Sequence, residues 1–135
     1  MTIAGAVPHD EVPAWLGAAD IALVPYDAAA AQYFSPVKLF ECMAMALPIV
    51  AARVEQTEAI LADGRTGWLY AAADADEPAA TIRRVAADLG AARRVGVAAR
   101  EQVLAHHTWE RNAEHVELLA QRAQQRARPV AARQP

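Results

Sequence analysis

Short apolar runs alternate with helix-length segments along these 135 residues, and that alternation constrains the fold more than any other feature. DIALVPY (20–26) carries a continuous Ile-Ala-Leu-Val core ended by a proline, as expected of a strand buried on both faces. PIVAA (48–52) and Trp68-Leu69-Tyr70 read as two more strands, and Ile3 to Val7, closed by Pro8, as a further candidate. Helical spacing is expected from His9 to Ala18, Ser35 to about Ala46, and Gln56 to Ala62. It returns over 77–89, 91–105 and 109–127, with Gly90 and His107-Thr108 as separators. Strands and helices in this order predict βαβ units: an α/β, Rossmann-like parallel sheet with flanking helices.

The totals exclude several classes. A net charge of −3 gives no general attraction to nucleic acid. A single cysteine cannot form an internal disulfide. No apolar run reaches the roughly 18 residues of a membrane span, and the N-terminus lacks a secretory pattern. The expectation is a cytoplasmic chain, with room for peripheral membrane association through a partner or further segment.

The stretch YFSPVKLFECMAMALP (33–48) holds the only lysine, Lys38, and the only cysteine, Cys42. Ser35 is a good N-cap and Pro36 suits the first helical position. Free amides at Val37 and Lys38 would then face a crevice beyond the strand DIALVP, where parallel α/β sheets bind ligands. Lys38 supplies a mobile charge suited to a diphosphate. Glu41, three residues on, falls on the same helical face, where its carboxylate can accept bonds from a ribose diol. An ordinary surface ion pair remains the alternative. Cys42, among Phe40, Met43 and Met45, reads as a buried thiol. His106 and His107 point apart and read as an exposed helix end, and Trp109 as an aromatic anchoring the last helix. No zinc-type cluster, Walker motif or G-x-G-x-x-G occurs.

FSPVKLFECMAMALPIVAA, then EAILADGRTGWLY and HHTWERNAE, resembles the C-terminal nucleotide-sugar-binding domain of family 4 glycosyltransferases, retaining enzymes of the GT-B fold. The likeness runs to about Ala120 and rests on several segments agreeing in order and spacing. It implies donor binding by Phe34, Ser35, Pro36, Val37, Lys38 and Glu41, with Glu41 on the ribose and the Ser35–Lys38 backbone near the phosphates. Two departures stand out: Tyr33 occupies the place of the family's first acid, and Val54 to Glu58 replace its Gly-Gly. The resemblance further implies a partial domain over 1–127, and the terminal residues themselves read as a disordered tail over 128–135. No metal cofactor is expected, and no catalytic residue can be named. The acceptor domain would lie elsewhere, on a longer chain or a separate partner, so these residues alone are expected to be inactive. They would leave a sheet edge exposed. A non-catalytic partner subunit, or an α/β interaction module without nucleotide binding, are the rival readings.

Overall fold

The computed structural model describes residues 3–26 and 35–127. A 3₁₀ turn at His9–Glu11 leads into α1 (Val12–Gly17), then β1 (Ala22–Val24), α2 (Val37–Ala44), β2 (Ile49–Arg53) and α3 (Glu55–Ile60). β3 (Trp68–Ala71), α4 (Glu77–Ala86), α5 (Leu89–His106) and α6 (Trp109–Ala127) follow. The strands form one parallel sheet in the order β1-β2-β3, with Leu23 beside Val50 and Ala51 beside Leu69.

Each face of this sheet takes alternate residues of the strands. Ala22, Val24, Ile49, Ala51 and Leu69 meet Leu39, Cys42 and Met43 of α2 and Ala99 and Val103 of α5. Val50, Ala52 and Tyr70 meet Val85 of α4 and Ala92 of α5. β2 is buried at four successive residues, so its uninterrupted apolar run has the expected cause. β1 departs from expectation. α4 packs over β2 and β3, while Leu23, on the same face as Val50, stays 43% exposed. Among the described residues β1 is an edge strand.

Two other expectations are corrected. Ile3 to Val7 forms no strand; Ile3 is 78% exposed, and no described strand offers this run a ladder. Gly90 lies inside α5 and does not separate helices. The break comes at Asp88, whose carboxylate accepts the Ala91 N–H at 2.8 Å and caps α5. The segment 128–135, expected to be a disordered tail, lies outside the described residues.

α5 holds the layer together. Arg100 donates to the Ala44 carbonyl, and Gln102 to the Ile60 carbonyl at 2.6 Å, so one helix satisfies the C-terminal ends of α2 and α3. Between α2 and β2 the chain reverses through a Schellman turn. Leu47 N–H bonds the Cys42 carbonyl and Ala46 N–H the Met43 carbonyl, at 3.2 and 2.9 Å. The left-handed position, usually glycine, is Ala46, at φ 55°. Gly96 of α5 rests on this turn so closely that a Cβ there would stand 2.2 Å from the Ala46 carbonyl oxygen.

On this geometry, Gly96→Ala should destabilise the fold by about 1–3 kcal/mol through overpacking against backbone. Ala46→Gly should stabilise it by about 1 kcal/mol by relieving the left-handed strain. Urea denaturation of the two variants checks both signs.

Candidate functional site

α2 begins just past the carboxyl end of β1, on the side of a parallel sheet where ligands bind. Its start sits one residue later than the sequence suggests. Pro36, at φ −78° and ψ 35°, occupies the N-cap, Val37 is the first helical residue, and no side chain caps the end. Proline brings φ close to helical and has no N–H to orphan, so it starts the turn without the Ser35 hydroxyl. The first bond runs from the Phe40 N–H to the Pro36 carbonyl at 3.2 Å. The Val37, Lys38 and Leu39 amides precede it and have no partner within the helix.

Periodicity then assigns the faces. Leu39, Cys42 and Met43 are buried toward the sheet. Val37, Phe40, Glu41 and Ala44, at i, i+3, i+4 and i+7, line a cleft of about 460 Å³ together with Ser35. Its other walls come from His9 and from the junction of α5 with α6: Val103, Leu104, His107, Thr108, Trp109 and Asn112.

The predicted site residues therefore divide. Ser35, Val37 and Glu41 share the cleft, with Glu41 half-buried. Pro36 is the half-buried N-cap between them. Lys38 is exposed and not part of the lining, because one helical step turns it from Val37 toward solvent. Phe34 lies outside the described residues. Among the described residues no ion pair joins Lys38 to Glu41, which leaves the surface-pair alternative without support.

Cys42, beneath this face, is a buried free thiol. Burial first, and then the Glu41 charge, push its pKa up to about 11 against a smaller opposing pull from Lys38. It stays a protonated packing group at neutral pH, as expected of a structural cysteine.

The α5–α6 wall is what sequence reasoning missed. His107 is half-buried, with its ring stacked on Phe40 at 4.9 Å between centroids and 25° between planes. His106 meets it edge-on at 6.4 Å. His106 alone fits the expected exposed helix end. Trp109 anchors nothing: it is 82% exposed at the rim of the cleft. The start of α6 is held instead by Thr108, whose hydroxyl accepts the Arg111 N–H at 3.3 Å. Nothing local in HHTW separates a solvent-facing ring from one closing onto a helix distant in sequence.

Comparison with known proteins decides the family. The profile of the family described as Glycosyl transferase-like matches residues 1–118. The chain belongs to that family. Among solved structures, sucrose-phosphate synthase (tll1590) from Thermosynechococcus elongatus is 29% identical, with a TM-score of 0.79 over 90% of this chain. The C-terminal domain of a glycosyl transferase group 1 family protein (LpcC) from Francisella tularensis is 17% identical, with a TM-score of 0.69 over 79% of this chain, a likeness of fold. No curated protein matches. The match spans 30% of the first of these chains and 53% of the second. Among the described residues of this glycosyl transferase-like chain, no group of three His, Cys, Asp or Glu is placed to hold a metal ion. No described helix is long and apolar enough to cross a membrane.

His107 carries the pH dependence of the cleft wall. Burial, and secondarily the nearby His106, lower its pKa from the usual 6.5. The unfolded chain then binds more protons between the two values, so stability falls as pH drops from 6.5 through the folded value and is fully retained above 6.5. NMR titration should place His107 below a free histidine. His107→Phe, which keeps the stack, should flatten the dependence of urea midpoints on pH across that window.

Proposed function

We propose that the cleft is the donor half of a retaining, family 4-type glycosyltransferase of GT-B architecture, transferring a sugar from a nucleoside-diphosphate sugar to an acceptor hydroxyl. One observation carries the reading. In a glycosyl transferase-like chain, Ser35, Val37 and the Glu41 carboxylate line a single cleft at the carboxyl edge of a parallel sheet. The amides that open α2 lie a turn before Glu41, a spacing that suits a diphosphate followed by a ribose.

The roles follow from the chemistry. Amides of the first turn of α2 hold the diphosphate oxygens, and the macrodipole favours their charge. Lys38 lies off the cleft wall, but its flexible stem lets the ammonium swing over the helix mouth and neutralise a phosphate. Pro36, as the N-cap, shapes that mouth. Glu41 accepts hydrogen bonds from the ribose hydroxyls. As the glycosidic bond to the diphosphate breaks, negative charge grows on the leaving group, and these fixed donors stabilise it. That task falls to Lys38 and the helix mouth, without a metal ion. The acceptor and any acid–base group come from another domain or chain, so the 135 residues bind donor without turning it over. The same reading assigns the complete enzyme to the cytoplasm, with peripheral membrane association through a partner or further segment.

Calorimetry with UDP, GDP and ADP tests this on the folded chain. At least one should bind, with no sugar transfer by the isolated chain. Lys38→Ala should weaken the diphosphate about tenfold while leaving the matching nucleoside nearly unchanged, and Glu41→Ala should weaken both. Absence of binding by every diphosphate at millimolar concentration overturns the proposal.

A further inference from the structure

α6 hangs from the domain by one short junction. Every residue from Trp109 to Arg126 is exposed, and no described strand or helix packs along this helix. His107 and Thr108, both half-buried, are the last residues before it that the domain covers. Thr108 uses its hydroxyl to cap α6. The ring contact that crosses to another element is that of His107, stacked on Phe40 of α2. His107 is also where α5 ends. Its backbone, at φ −128° and ψ 31°, has left the helical region, while its N–H still bonds the Val103 carbonyl at 2.9 Å. Hinges are made of such element-terminal residues.

A neutral imidazole suits this stack better than an imidazolium. Protonation puts an N–H on both ring nitrogens, and each then needs water or an acceptor. Half-burial against a phenyl ring removes part of that water. Any charge on His106, edge-on at 6.4 Å, repels a second charge on His107. Burial first, and then His106, hold the His107 pKa below 6.5. Other charged groups approach from each neighbouring element. On α6, Glu110 is engaged by its own N–H and the Thr108 hydroxyl, and Arg111 pairs with Glu114 at 2.9 Å. His9 of the 3₁₀ turn lines the same cleft and adds like charge when protonated. On α2, Lys38 is turned to solvent, and Glu41, the one carboxylate in the lining, is the group that favours a cation.

We propose that the His107–Phe40 stack is a proton-sensitive clasp: a neutral ring holds the start of α6 against α2, and a charged ring releases α6 to swing about the His107–Thr108 junction. Trp109 and Asn112 border the cleft and move with α6, so the clasp sets whether the cleft keeps its far wall. It acts on whatever the cleft takes and stands independently of the donor reading.

NMR on the full chain tests this at about pH 7.5 and about pH 5, on either side of the ordinary histidine range. At the upper pH, NOEs should join the Phe40 and His107 rings, and α6 amides should have order parameters like those of β2, about 0.85. At the lower pH the NOEs should vanish and the α6 values fall below about 0.6, with β2 amides unchanged. His107→Phe should keep α6 rigid in both conditions, and His107→Ala should leave it mobile in both. The native chain decides by itself if either variant fails to fold. Ring-to-ring NOEs that persist at the lower pH overturn the clasp. So does an α6 equally mobile at both pH values, or a release that survives in His107→Phe. Loss of the β2 signals together with the release also overturns it, because the whole domain then unfolds.

Discussion

Everything at the cleft depends on where α2 sits, and α2 is positioned by a backbone-on-backbone contact. Gly96 lets α5 lie directly on the Ala46–Leu47 turn, closer than any side chain would permit. With α5 there, Arg100 reaches the last turn of α2, and Leu39 and Met43 are sealed against the sheet with no residual exposure. Burying side chains of this size contributes about 1.5–3 kcal/mol each. The rotation of α2 is therefore not free. Turning Leu39 and Met43 inward turns Val37, Phe40 and Glu41 outward into the cleft.

The electrostatics of that outward face are sparse. Apolar groups supply most of the lining, with one carboxylate and one helix mouth placed among them. A linked set of ion pairs lies elsewhere. Arg53, at the end of β2, bridges Glu58 at 3.0 Å and Asp63 at 2.9 Å, tying α3 to the turn before β3. All three side chains are substantially exposed, so these bonds orient the segment more than they stabilise it. The buried polar work at that corner falls to Thr57. Its hydroxyl accepts the Val54 N–H at 3.1 Å and donates to the Ala52 carbonyl at 2.6 Å.

Much of the architecture was legible in the sequence because it follows from local pattern. The runs at 20–26, 48–52 and 68–70 all became strands, and the helix at 109–127 was placed to the residue. What failed depended on neighbours. Leu23 reads as a core residue by composition, yet α4 leaves it uncovered. Lys38 and Glu41 are neighbours by helical spacing, but packing of Leu39 and Met43 sends only Glu41 into the cleft. The spacing of α2 pointed to Ser35, Val37 and Glu41. His107 and Trp109 reach that place from about 70 residues away, and no local pattern encodes such a meeting.

α5 joins two parts of the molecule that are usually considered apart. Its middle carries Gly96 and its end carries His107, eleven residues or about 16 Å further on. A stiff rod packed from Ala92 to Val103 and bearing a wall at its tip passes a displacement at its seat on to that wall. A substitution that lifts Gly96 by a few tenths of an ångström shifts the far tip and alters the stack of His107 on Phe40. Changes selected for a firmer interior at that seat therefore also retune what the cleft can hold.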